Sequence, residues 1–363
     1  MTLEFKDLFV MDPSEVTMVK NYAYEIQLKE EKVVAHQPNR MNPQKRAIAQ
    51  EEARKMLDAG SVEPSTSQYN NRVVIVAKPD GSWRFCVDLR DLNHISRPLA
   101  YNLPRISDML DNLGQMKIFS TLDLKNGYHS IHVLDPSCRH YTAFQVEGLE
   151  KLQYKVCCMG MQGSSPAFLK LMNNCLDGLL YVNTNSFVDD VIVYSRNTRE
   201  HLEHLRQVFT RFRKYNLKIN AKKAYIGKTK VKFVGFVIST EGVSLDPRKV
   251  EKIRNIPRPT NAKSVLSFLG CANYYRRSVP GFSSLAAPLY AITGNAKFSW
   301  TEECQTNFDT LKRKLSTDSV MAFPDWEKEF HLYTDGRLGA YGFILQQVVD
   351  GREVVIKHYP PHY

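Results

Sequence analysis

Residues 186–195 read SFVDDVIVYS, two short apolar runs interrupted by Asp189 and Asp190. That pattern predicts a tight β-hairpin with the two acids at its tip. Further upstream, residues 119–131 read FSTLDLKNGYHSI, a β-rich run in which Asp123 stands between Leu122 and Leu124 before a turn at Asn126 and Gly127. A carboxylate embedded in an apolar run is costly unless it is paired or faces a cation. Aspartate is also a common turn residue, and by itself a hairpin carrying two of them is an ordinary turn.

Working outward, residues 44–59 predict a helix with Ile48, Met56 and Leu57 inward and Gly60 past its end. Val73–Ala77 and Trp83–Leu89 flank a PDG turn and predict a hairpin. From Ser165 to Leu180, apolar residues at Phe168, Met172, Cys175, Leu176 and Leu179 follow one helix face. A further helix after residue 195 turns Leu202, Leu205, Phe209 and Phe212 inward. The order strand, helix, strand pair, helix predicts an α+β layer, an antiparallel sheet backed by helices. Residues 1–43 read as a polar leader over the surface, and residues 260–320 as mainly helical. EFHLYTDG and AYGFILQQVV near the end read as strands.

The chain has 363 residues, enough for two or three lobes, and its 43% hydrophobic and 24% charged residues are those of a globular protein. No stretch approaches the 18 or so apolar residues of a membrane span, and the acidic start lacks the flank of a signal peptide. An intracellular, unsecreted protein without membrane contact is the expectation. The seven cysteines are odd in number and form no CxxC pair, which argues against a disulfide framework or a zinc site. Of the net charge of +11, the segment 196–277 carries 20 Lys and Arg against five acids, so the remainder is slightly acidic. Such a basic block is what a phosphate-backbone partner requires, though a solvated Lys/Arg face has the same composition.

Three aspartates delivered by two neighbouring strands would suit a hard divalent cation such as Mg²⁺. In a two-metal site, such ions activate an attacking hydroxyl and hold a triphosphate. The surrounding blocks sharpen this. MLDAGSVEPSTSQY, VAKPDGSWRFCVDLRDLN, NLPRISDMLDNLG, FSTLDLKNGYHSI, SSPAFLKLM, FVDDVIVYS, FVGFVISTEGV and LSFLGCANYYRR, then FSW with CQTNFDTLK, occur in that order. In these blocks, covering roughly residues 50 to 350, the chain resembles the reverse transcriptase of gypsy-type long-terminal-repeat retrotransposons.

The resemblance implies a right-hand polymerase of fingers, palm and thumb with a ferredoxin-like palm, followed by the start of an RNase H-like domain. The implied domains are a leader at 1–43, fingers and palm at 44–245, thumb and connection at 246–320, and a truncated RNase H-like piece at 321–363. Asp123, Asp189 and Asp190 match the catalytic, metal-holding carboxylates, with Mg²⁺ or Mn²⁺ as cofactor. Tyr128 matches the residue beneath the incoming sugar that rejects a 2′-hydroxyl. Lys78 and Arg84 match residues that hold the triphosphate, and Met159 stands where the family commonly has a Phe on the dNTP side. Tyr141 stands where Lys is frequent. Val234 and Gly235 in FVGF match the primer grip, and the YYRR run at 274–277 offers phosphate contacts and stacking.

Asp335 matches the first RNase H position, but the later acids of that site are missing before Tyr363, so no RNase H activity is expected of this chain. Protease, integrase and zinc-knuckle signals are absent, which suggests a fragment or truncated copy of a Pol polyprotein. The implied activity is RNA-directed DNA synthesis, with RNA template, DNA primer and product, dNTPs and other Pol domains as partners. The implied setting is cytoplasm or a virus-like particle. Two other readings stand beside it: a retroelement relic that binds nucleic acid without polymerising, and a host protein reusing the fold as a scaffold.

Overall fold

Strand Ile118–Asp123 lies between Tyr225–Lys228 and Asp190–Ser195 in a four-stranded sheet whose far edge is Thr184–Phe187. The computed structural model describes the chain except residues 1–2, 12–17, 78–80, 82, 100, 125–131, 134–135, 159, 280, 295–297, 317–320, 338–339, 350 and 363. Two compact units emerge: Met1–Arg105 with Ser120–Val193 and Thr198–Ile226, and Ile106–Phe119 with Tyr194–Asn197 and Gly227–Tyr363.

In the first unit, helices Ser164–Cys175 and Thr198–Tyr215 supply much of the core. Phe168, Leu171, Met172 and Cys175 from one helix, and Leu205, Val208, Phe209 and Phe212 from the other, are fully buried with Val191 and Val193 of the sheet. The first helix stops at Cys175 rather than Leu180, because Gly178 takes a left-handed φ of +77° that ends the turn. Gly163, at its N-cap, is needed for a different reason: a Cβ there would collide with the Tyr24 hydroxyl.

Two inward assignments are corrected. In Pro43–Asp58 the buried residues are Ala49 and Ala53, with Ile48 and Met56 beside them, and Leu57 faces outward. In Thr198–Tyr215 the stripe runs His201, Leu205, Val208, Phe209, Phe212, and Leu202, just past its edge in the first turns of the helix, is exposed. Ser120 on the sheet lies 2.7 Å from His201 Nε2, which satisfies that buried ring. Burial pulls the His201 pKa down to about 4.

The N-terminal segment does not lie over the surface as expected. Phe5 and Leu8 are buried in the same core, and the rings of Phe5 and Phe9 stand 5.4 and 5.6 Å from that of Phe209. Strand Phe9–Val10 pairs in parallel with Ile219–Asn220, and Arg213 holds Asp7 with both Nε and Nη2. The hairpin Arg72–Ala77 and Trp83–Asp88 forms as predicted, with Val76 opposite Arg84.

The second unit contains a three-stranded antiparallel meander, Lys230–Phe233, Phe236–Ser239 and Gly242–Leu245. Helices Pro247–Arg254, Ala262–Tyr274, Phe282–Ala291 and Glu302–Leu315 follow. Phe268 and Phe308 pack at 4.6 Å among buried Val265, Leu269, Leu289 and Leu311. A second antiparallel sheet, His331–Arg337, Ala340–Val349 and Arg352–His362, ends the unit. Among the described residues, no helix is long and apolar enough to cross a membrane.

Phe209 joins the N-terminal segment to the long helix, so its truncation tests the first unit's core. Phe209→Ala is expected to cost about 3–5 kcal/mol in chemical denaturation, the usual result of opening a cavity at a filled aromatic site. A loss under about 1 kcal/mol would show that the N-terminal segment is not part of that core.

Candidate functional site

The predicted hairpin is present and tight. Asp190 pairs with Phe187 in register, leaving Val188 and Asp189 as the connecting residues, and Val188 has a φ of +55°. A β-branched residue in that region is strained by about 1–3 kcal/mol, and such strain persists only where the surroundings enforce it. The enforcement is visible: the Leu124 N–H donates to Asp189 O at 2.9 Å, tying the hairpin tip to the end of the strand that carries Asp123. Behind the acids, Val191, Ile192 and Val193 are fully buried.

The three carboxylates therefore belong to one neighbourhood, and each feels it differently. Asp190 is half-buried, and desolvation first, then repulsion from Asp189 and Asp123, pushes its pKa up to about 6. Asp189 stands exposed at the tip, yet loss of water on its inner side raises its pKa as well, with Asp123 adding to the rise and a backbone N–H opposing it. Asp123 is held by neutral and positive partners: Lys223 Nζ at 3.1 Å from Oδ2 and Asn220 Nδ2 at 3.4 Å from Oδ1. Lys223 also lowers the pKa of both other acids. Lys223 and Asn220 were not anticipated, because their contact with Asp123 spans about a hundred positions and follows no local spacing.

The donor set is that of a hard divalent cation, all carboxylate oxygen, and the raised pKa values of Asp189 and Asp190 report desolvation first and then repulsion, both of which a cation would offset. In the placement seen here no three Asp, Glu, His or Cys side chains among the described residues are gathered tightly enough to share one ion. Lys223 supplies the positive charge nearest Asp123 instead.

Other expected site residues fall in several places. Arg84 is exposed on the hairpin strand Trp83–Asp88, whereas Lys78, Tyr128 and Met159 lie outside the described residues. Val234 and Gly235 form a second two-residue turn, between Phe233 and Phe236, with φ of +46° and +80°. Positive φ at both positions is the signature of a type I′ turn, which favours Asn or Gly and disfavours Val. Asp335 lies in strand His331–Arg337, paired with Gly342.

Comparison with known proteins adds the family. Residues 76–238 match the family model "Reverse transcriptase (RNA-dependent DNA polymerase)", and residues 300–360 match "RNase H-like domain found in reverse transcriptase". The Pol polyprotein of transposon 412 from Drosophila melanogaster is 30% identical over 98% of this chain, and that of transposon gypsy from the same fly 31% identical over 84%. The chain spans only 29% and 31% of the length of these two relatives. A foamy viral protease-reverse transcriptase solved with an RNA/DNA hybrid superposes with a TM-score of 0.81 at 24% identity, over 99% of this chain and 48% of that one. At that identity the likeness establishes the fold, a right-hand polymerase, as expected.

Between the ordinary aspartate pKa of 3.8 and about 6, folded Asp190 keeps a proton that the unfolded chain releases. Its contribution is therefore complete below about pH 4 and lost as pH rises through 6. In metal-free buffer, Asp190→Asn should melt above the parent at pH 7.5, and the gain should shrink toward pH 4. A gain that stayed constant over that range would show that Asp190 is not crowded as described.

Proposed function

Since residues 76–238 place this chain in the reverse transcriptase family, we propose that it is an RNA-directed DNA polymerase extending a DNA primer by transfer of nucleotidyl groups from dNTPs. The observation that carries the proposal is the hydrogen bond between Leu124 and Asp189, which sets the tip carrying Asp189 and Asp190 beside the strand end carrying Asp123. These three side chains are the proposed catalytic carboxylates. They would hold Mg²⁺ or Mn²⁺, which when bound supplies activation of the primer hydroxyl and neutralisation of the triphosphate.

The remaining roles belong to the chain itself. Lys78 and Arg84 bind triphosphate oxygens, the guanidinium bidentately. Tyr128 lies against the sugar and excludes a 2′-hydroxyl, and Met159 borders the same nucleotide. Val234 and Gly235 present backbone to the primer terminus. With few covalent steps for the protein to perform, positioning and electrostatics carry the catalysis. Residues 44–245 are assigned to fingers and palm and 246–320 to thumb and connection. Residues 321–363, with Asp335, are assigned to an RNase H-like piece, and 1–43 to a leader. Template RNA, primer and product DNA and dNTPs are the proposed ligands, and the other Pol domains the proposed neighbours. The foamy viral relative's RNA/DNA hybrid supports that ligand class. The setting is proposed to be intracellular, in cytoplasm or a virus-like particle.

Primer extension on poly(rA)/oligo(dT) with Mg²⁺ or Mn²⁺ tests the reading. The parent should extend, and Asp189→Asn should extend at least about 10²-fold more slowly, the scale on which loss of one charge-stabilising group is felt. A salt-sensitive mobility shift without extension by the parent would instead identify a nucleic-acid binder that does not polymerise. Tyr128→Ala should raise ribonucleotide incorporation relative to the matching deoxynucleotide. Unchanged discrimination would remove Tyr128 from the sugar.

A further inference from the structure

The turn Val234–Gly235 is fixed from one side by a small aromatic enclosure within the second unit. The Tyr274 hydroxyl donates to Val234 O at 2.8 Å, and the Asp246 N–H donates to Gly235 O at 3.2 Å. Both carbonyls of the strained turn are thus engaged by the body of the unit. The Tyr274 ring stacks on Phe236 at 5.9 Å and 21°, and Tyr275 meets the same ring edge-on at 5.4 Å. A Cβ on residue 235 would stand 3.0 Å from the Tyr275 hydroxyl, and the residue would have to adopt a φ of +80°, so both space and backbone favour glycine here. Asp246 is anchored in turn: its carboxylate accepts from Lys232 Nζ at 2.8 Å and from the Arg248 N–H at 3.1 Å.

Tyr274 differs from its neighbours in this group. It is the last residue of helix Ala262–Tyr274, and the residue is 42% exposed although its hydroxyl is engaged. Sequence alone offers the YYRR run as a source of phosphate contacts, but the geometry turns this hydroxyl inward, onto a backbone carbonyl. A valine held left-handed returns to ordinary backbone angles unless something opposes it. The Tyr274 hydroxyl reaches the carbonyl of that valine and so opposes the return.

We propose that Tyr274 is a positioning residue: its hydroxyl holds the Val234–Gly235 turn in its strained form and so aligns the primer 3′ terminus that the turn supports. The inference rests on the primer-grip reading of Val234 and Gly235. It also makes helix Ala262–Tyr274 the element that sets the turn's conformation, since the tyrosine ends that helix.

Tyr274→Phe tests it, because the ring and its stacking on Phe236 are kept while the hydrogen bond is lost. Single-turnover extension with the full chain should show the incorporation rate falling about 10-fold, the consequence of one lost hydrogen bond. The dissociation constant for dNTP and the melting temperature should stay at parental values. With 2-aminopurine as the primer's terminal base, the binary complex should fluoresce more brightly, because the terminus is less firmly stacked. Val234→Gly in the Tyr274→Phe background should recover most of the rate, since glycine adopts the left-handed turn without help. Gly235→Ala, which disturbs the turn directly, serves as the reference. If Gly235→Ala changes rate and fluorescence and Tyr274→Phe does not, the proposal for Tyr274 fails alone. If neither changes them, the primer-grip reading fails with it. A Tyr274→Phe defect that Val234→Gly does not relieve would overturn the strain argument.

Discussion

Crowding of like charge at the end of a buried sheet is the constraint around which this structure is arranged. Asp190 leaves water because the three residues after it, Val191 to Val193, are fully buried, and Asp189 and Asp123 add repulsion to that cost. A chain could avoid the penalty by spreading the acids apart. Here the backbone does the opposite, joining Leu124 to Asp189 so that the tip cannot swing away from the strand bearing Asp123. Lys223 and Asn220 bond directly to Asp123, whereas Lys223 acts on Asp189 and Asp190 only through space, so most of the penalty stays on the hairpin.

Strained turns are the means by which both proposed contact points are aimed. Each of the two hairpins is closed by two residues, and each puts a valine at positive φ where turn chemistry favours Gly or Asn. In each case a hydrogen bond from outside the hairpin reaches the turn: Leu124 N–H to Asp189 O in one, Tyr274 Oη to Val234 O in the other. The pattern is that of local strain balanced by the surrounding fold. It also explains why a residue as ill-suited as valine can occupy these turns, since an isolated hairpin of that sequence would relax.

Those same features divide what the sequence reveals from what it hides. The Asp189 hairpin was legible because two β-rich runs broken by two polar residues have few other solutions, and the helices after it because their apolar spacing is regular. The Val234 turn was not legible from its chemistry, as Val–Gly gives no strong turn signal, and the resemblance of FVGF to the family offered these residues a role but no turn. The burial of Phe5 and Leu8 was hidden, because a two-residue parallel strand has no periodicity to detect. Strand Arg352–His362 was likewise missed, since Pro360 and Pro361 argue against a strand unless it lies at a sheet edge, as it does. Leu57 and Leu202 sit at the edges of their helices' apolar stripes, where spacing alone does not decide burial, and the Lys223–Asp123 pair depends wholly on tertiary placement.

The charge pattern follows from two demands that a single uniform field cannot meet. The proposed polyanionic ligand would have to be drawn in, while the proposed site presents three carboxylates that repel it. Separating the charges by range resolves the conflict. At physiological ionic strength a charge is screened over about 8 Å, so the acids act mainly within their own neighbourhood, where Lys223 already answers one of them. The other 19 Lys and Arg of residues 196–277 are spread along that segment, where their summed field would attract the phosphates of the proposed ligand. Lys223 is the point at which the two systems meet, a member of the basic segment bound to the first of the acids.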